Sequence, residues 1–282
     1  QGETLLLDAS GSYGPISNYV WELDGTQVAT TKTHEISLDP GTYVFSLTVS
    51  DSQGNEDTDQ LKVTVGGAEI GDVIWEDNFD SINEEYWNIS TGNGCEEDLC
   101  GWGNQELQTY QKDNVYVEEI DEEPGNYALV LEAKDETVGT NAFTSGKVTT
   151  ENKVAIKYGV VEVRMKTPDI ENGLWPAAWL LGINHREVGW PYCGEIDMME
   201  MGHAASERQA EGFSGSPNNF VRANLIWYAS GACGTDNPSC AASIAYDKYY
   251  TTPYTPSSGL NNRYVTYRMY WNESQIRLTV VD

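Results

Sequence analysis

The chemistry of this chain is concentrated in Glu195-Ile196-Asp197-Met198-Met199-Glu200, where three acids fall within a six-residue, otherwise apolar run. On a strand successive side chains alternate, so Glu195 and Asp197 point to one face. Strict alternation sends Glu200 to the opposite face, and one extra residue, a β-bulge, brings it back. The paired Met198 and Met199 are the natural place for that residue, since two apolar side chains then share the core side. Three carboxylates would line one concave face. Like charges this close raise at least one pKa. A protonated acid beside an ionised carboxylate is the pair a retaining glycosidase needs. The same spacing also suits a solvent-facing acidic strand or a calcium cluster.

Aromatic residues suited to sugar rings lie along the same part of the chain: Trp102, Trp175, Trp179 and Trp190. Their flat faces stack on the C–H faces of pyranoses, and a long groove of that kind fits a polymer better than a deep pocket does. Trp179 lies within Pro176-Ala177-Ala178-Trp179-Leu180-Leu181 and is expected to be core. Asn104 and Glu106 are read as sugar-hydroxyl ligands or as loop stabilisers, and Gln108 as structural. His203, just after Glu200, is read as a sugar contact or a surface histidine. Arg164 and Arg186 are the basic residues available to a cleft, and Arg164 is expected to pair with an acid on its own strand. Cys193 is read as a small strand residue facing the core, opposite Glu195.

The elements that must position these residues are strands. Thr42–Val49, Gln60–Val65, Gly159–Lys166 and Gln275–Val280 alternate or are β-branched, with turn residues between them. No helical pattern exceeds about two turns. Two all-β domains are expected in the 282 residues, 1–66 and 74–282, joined by a linker at 67–73 that opens on Gly66-Gly67-Ala68. Lys and Arg total 16 against 44 Asp and Glu, a formal charge of −28. Such a surface repels nucleic acid and anionic membranes and favours a neutral partner. No apolar run reaches the ~18 residues of a membrane span. Gln1 begins inside a soluble pattern, as expected of a mature or a trimmed chain. Cys95 with Cys100 and Cys233 with Cys240 are short-spaced pairs in polar loops and read as two local disulfides, which fits an extracellular location. Zinc is disfavoured, because CxxC spacing is absent and His34, His185 and His203 are scattered.

The first 65 residues resemble a PKD-type domain, an immunoglobulin-like sandwich. The matching stretches are Leu7-Asp8-Ala9-Ser10-Gly11-Ser12, Tyr19-Val20-Trp21-Glu22-Leu23-Asp24-Gly25, Pro40-Gly41-Thr42-Tyr43 and the run from Leu47 to Asn55. The resemblance makes Trp21 a core residue and the domain a spacer or weak binding module. The polar loop from Asp51 to Asp59 is read as a calcium site or as solvated turn acids. The run from Glu195 to Glu200 resembles the bulged ExDxxE signature of glycoside hydrolase family 16. The likeness continues through Gly101-Trp102-Gly103-Asn104-Gln105-Glu106-Leu107-Gln108-Thr109-Tyr110, Tyr158–Lys166, Gly173–Trp179 and Gly189-Trp190-Pro191, and covers about residues 74–282.

This resemblance implies a β-jelly-roll with a cleft across its concave sheet and endo-hydrolysis with retention. Glu195 matches the nucleophile, Glu200 the acid/base and Asp197 the residue tuning them. The stretch from Gly101 to Tyr110 is similar to laminarinases, which act on β-1,3-glucan. An agarase-like galactan hydrolase and a non-catalytic glucan-binding protein are the alternatives. No organic cofactor is implied and none is required; any calcium ion bound is structural, and a monomeric state is expected. Two departures stand out. Where this branch commonly has a His-Trp pair, the chain has Ile226-Trp227. The family pattern also implies further strands after Asp282, so the jelly roll is expected to lack its C-terminal part.

Overall fold

The structure, a computed structural model, describes residues 3–39, 41–65, 72–170, 173–228, 241–246 and 259–281. The expected linker at 67–73 lies mostly outside them, as do Cys233 and Cys240. The chain divides into two compact units, residues 1–156 and 157–282.

The first unit begins with β1 (Glu3–Asp8), β2 (Ile16–Leu23), β3 (Thr26–Ala29), β4 (Thr33–Leu38), β5 (Gly41–Asp51) and β6 (Glu56–Val65). β1 pairs with β4, while β6, β5, β2 and β3 form consecutive strands of a second sheet. Leu7, Trp21, Leu38, Phe45 and Val63 form the core of this sandwich. The Trp21 indole N–H, which burial would otherwise strand, donates to the Thr31 carbonyl at 3.0 Å. Asp51 accepts the amide N–H groups of Gln53 and Asn55 and the Asn55 side chain, so its carboxylate closes a turn. Those bonds to the charged form hold its pKa below the usual range.

Short strands follow: β7 (Asn88–Ile89), β8 (Gln108–Tyr110), β9 (Val115–Glu119), β10 (Tyr127–Leu131), β11 (Phe143–Ser145), β12 (Val148–Thr149) and β13 (Val154–Lys157). β13 extends the β6 edge of the second sheet, and next to it the Lys62 N–H donates to the Lys153 carbonyl at 3.1 Å. That ladder explains why the first unit runs past the expected linker. The Cys95–Cys100 disulfide is formed.

The second unit stacks two antiparallel sheets. One contains β14 (Gly159–Lys166), β19 (Tyr264–Asn272) and β20 (Gln275–Val281). The other runs β15 (Ala177–Leu181), β16 (Glu195–Glu200), β17 (Arg222–Tyr228) and β18 (Ala241–Tyr246). Two short helices, α1 (His185–Val188) and α2 (Ala205–Ala210), lie in its connections. The core between the sheets holds Met199, Met201, Val221, Val265 and Tyr267, with Met165 and Ala178 packed against it. Among the described residues no helix is long and apolar enough to cross a membrane.

Met199 is fully buried. Met199→Ala is expected to cost about 2–5 kcal/mol, through lost burial and the cavity left behind. Urea unfolding of the whole chain measures it. An unchanged midpoint would mean that this side chain does not hold the two sheets together.

Candidate active site

The bulge in β16 is where the residue count demands it. Against β17, Asp197 pairs with Asn224 and Glu200 with Arg222, so three steps on one strand meet two on the other. Against β15, Ala178 pairs with Met199 and Trp179 with Asp197, so Met198 is passed over. Met198 and Met199 are both buried, and Glu200 returns to the face of Glu195 and Asp197. Directly paired residues share a face, so Trp179 on β15 and Asn224 and Ile226 on β17 stand on the acid face too.

The strand ends are pinned by backbone contacts. Gly202 has φ +98, and a Cβ there would stand 2.2 Å from the Leu174 carbonyl oxygen. Only glycine allows that approach. It brings the segment carrying Trp175 against the end of β16, where Trp175 hydrogen-bonds Glu200. At the other end, the turn before Glu195 carries Trp190, whose Nε1 donates to Glu195 Oε2 at 3.1 Å. Asn224 Nδ2 donates to Glu200 Oε2 at 2.8 Å.

Electrostatics separates the three acids. Asp197 is 3% exposed. Burial, then the charge of Glu195 and the hydrogen bond to it, push Asp197 up to about 7, against hydrogen bonds with Asn224 and Glu200. Burial also pushes Glu200 up to about 7, helped by the charge of Asp197; hydrogen bonds from Asn224 and Trp175 and the Arg222 charge pull the other way. Glu195 is raised by burial and by the charge of Glu200, while hydrogen bonds from Asp197 and Trp190 favour its ionised form. The Asp197–Glu195 bond raises one acid and lowers the other, so it favours the proton on Asp197 and the charge on Glu195. The three titrate as a set. The arrangement sets Glu200, at about 7, to give or take a proton, beside a Glu195 whose hydrogen bonds favour its charged form.

Trp175 and Trp190 are each 50% exposed, leaving ring area open while their N–H groups hold the carboxylates. Trp179 corrects the expectation of burial. It is 42% exposed beside Asp197, because Ala178 and not Trp179 points into the core. Ile226, the replacement in the His-Trp pair, is the direct partner of Glu195.

Three further expectations are corrected. Arg164 lies on the other sheet, one residue from core-facing Met165, and so faces away from the acid face. It sits 4.2 Å over the Tyr264 ring. The acid of its strand, Glu162, is bound by Arg268 across the ladder. His203 is not a surface residue, since its ring packs edge-on against Phe220 and its Nε2 is buried without a partner among the described residues. Burial, then the Arg222 charge, lower its pKa. Cys193 lies in the turn before β16, half-buried rather than on the strand, and burial raises its thiol pKa. Arg186 is exposed on α1.

Trp102, Asn104 and Glu106 form a cluster within the first unit. Glu106 accepts from Tyr110 and Gln108 at 2.7 Å each and from Asn104 at 3.4 Å. Lys147 Nζ stands 4.5 Å over the Trp102 ring, and burial lowers its pKa. These contacts stabilise the loop, and Gln108 is part of them. Among the described residues no group of three His, Cys, Asp or Glu side chains is placed to hold a metal ion.

Asn224 is the site residue that the sequence does not single out. Nothing local marks it, because its role depends on the β16–β17 register.

The chain is similar to the laminarinase catalytic domain of Thermotoga maritima, with 33% identity and a TM-score of 0.58 over 75% of this chain and 74% of that one. It is similar to a family 16 protein of Bacteroides ovatus solved with a mixed-linkage glucan product, with 28% identity and a TM-score of 0.57 over 74% and 75% of the two chains. It is 36% identical over 137 residues to glucan endo-1,3-beta-glucosidase A1 of Niallia circulans, covering 45% of this chain and 20% of that protein. The chain spans less than half the length of the curated relatives it matches. The K319L-like PKD domain model matches residues 1–65, and the model of glycosyl hydrolases family 16 matches residues 102–282. With well over half of its residues matched and a β-sandwich carrying the bulged acid strand, the chain belongs to glycosyl hydrolase family 16, its jelly-roll preceded by a PKD-like domain.

Proposed function

We propose that the chain hydrolyses β-1,3-glucan internally, by double displacement with retention at the anomeric carbon. The observation that carries this reading is the bulged strand that turns Glu195, Asp197 and Glu200 to one face, between half-exposed tryptophans. Protonated Glu200 gives its proton to the glycosidic oxygen while the Glu195 carboxylate attacks the anomeric carbon. The C–O bond to the leaving sugar breaks and a glycosyl ester forms on Glu195. Glu200, now ionised, takes a proton from water, whose oxygen displaces Glu195. Each displacement inverts the carbon, so the product keeps the starting configuration. Asp197 keeps its proton and donates a hydrogen bond to Glu195, which weakens as the ester forms and strengthens as negative charge returns there. No cofactor enters these steps.

The similarity to a laminarinase domain and to a glucan endo-1,3-beta-glucosidase supports β-1,3-glucan as substrate. The formal charge of −28 favours a neutral polymer over a sulfated one. A groove that only bound glucan would gain nothing from three crowded, desolvated carboxylates.

Reducing-end release from laminarin, beside mixed-linkage glucan and agarose, tests the reading. Laminarin is expected to be cleaved fastest. Preference for agarose would move the assignment to galactans, and preference for mixed-linkage glucan would move it to the β-1,3-1,4 polymer. Retention of glucan without release of ends would make the protein a binding module.

A further inference from the structure

Asn224 is 7% exposed, lies mid-strand on β17 and pairs directly with Asp197. Its amide nitrogen donates to Glu200 Oε2 at 2.8 Å, and its side chain also bonds Asp197 in the sense that favours the carboxylate. An asparagine amide carries two N–H donors, and here Glu200 Oε2 takes one while Asp197 is the second acid that the side chain bonds. With acceptors of two acids on that side, the amide orientation is fixed as well. We infer that Asn224 is a positioning residue that chooses which oxygen of Glu200 carries the catalytic proton. Oε2 accepts the amide N–H, which leaves Oε1 as the oxygen to carry the proton. This inference rests on the proposed hydrolysis and adds the geometry of its acid.

The groups facing Glu200 are few. Asp197 precedes it on β16, and Arg222 is its partner on β17. Arg222 also lies 3.9 Å from Glu211, and its charge acts on His203. Trp175 gives an indole N–H, and Ala177, the β15 partner, brings no charge. Arg222 acts on Glu200 by charge, and Asp197 by charge and by a hydrogen bond in the sense that favours the Asp197 carboxylate. Asn224 is the neutral donor from the facing strand, and it holds Glu200 and Asp197 at once.

The test uses Asn224→Ala and Asn224→Ser in the whole chain. With laminarin, Asn224→Ala is expected to lower kcat about 10–100-fold, with KM within about threefold of the parent. Loss of a bond to the ionised form raises the pKa of Glu200, so the alkaline limb of the rate profile should move up by roughly half to one pH unit. Asn224→Ser, which keeps one donor, should fall between. A merely structural role would lower thermal stability and leave the limb in place, and that result overturns the inference.

A second readout needs no turnover. Carbon-13 carboxyl NMR titration, with the Glu200 resonance assigned by Glu200→Gln, should show Glu200 titrating higher in Asn224→Ala. An unchanged titration rejects the role of Asn224 whatever the substrate. A parent protein inactive on every glucan, with the shift present, rejects the hydrolytic reading alone.

Discussion

Glu195→Gln is expected to lower laminarin turnover by at least about 10³-fold, with little loss of folding stability. The amide matches the carboxylate in size, and its oxygen can still accept the Trp190 indole N–H. It lacks the charge and basicity to displace a sugar from its anomeric carbon. The stereochemistry of rescue separates a nucleophile from a merely binding acid. With Glu195→Ala, added azide can attack from the face that Glu195 leaves open, forming an α-glycosyl azide from an activated β-glucoside. With Glu200→Ala, the ester on Glu195 still forms and azide intercepts it, giving the β-anomer. Proton NMR of the products distinguishes the two. Undiminished turnover in Glu195→Gln, or a β-azide from Glu195→Ala, would remove Glu195 from the role of nucleophile.

The acid strand was legible because its argument is local. Alternation with a period of two, three acids at fixed spacing and two adjacent methionines leave one economical register, and β16 adopts it. Trp21 was legible through the likeness to a PKD-type domain, which makes it the core tryptophan, and it is buried there. Trp179 was not. Its neighbours are apolar on both sides, so composition argues for burial, while its exposure follows from Ala177 pairing with Glu200 across the sheet. Asn224 depends wholly on such pairing, and a polar residue inside an apolar strand gives no hint of which carboxylates it meets. His203 misled by proximity to Glu200 in sequence, and Arg164 by its charge. One packs on Phe220, and the other points from the far face of the opposite sheet.

Glu200→Gln is expected to show that the same burial that makes an acid catalyst destabilises the fold. Turnover on laminarin should fall about 10²–10⁴-fold, because the alcohol leaving group then departs without a proton. An activated aryl glucoside, whose leaving group needs no proton, should lose far less in the first displacement. The alkaline limb near pH 7 should vanish with the group that causes it. Stability should respond in the opposite direction to that of an ordinary ion-paired carboxylate. The folded chain holds the Glu200 proton up to about pH 7, whereas the unfolded chain releases it near the usual 4.5. Folded protein therefore binds more protons between those values, and stability falls as pH rises through that window. Below it the penalty is absent; above pH 7 it is complete, at about 1–3 kcal/mol. Glutamine has nothing to ionise, so Glu200→Gln should melt close to the parent at pH 4 and several degrees above it at pH 8. An equal difference in melting temperature at the two pH values would mean that Glu200 is not held protonated by its surroundings. The acid role would then lose its physical basis, even if the variant were inactive.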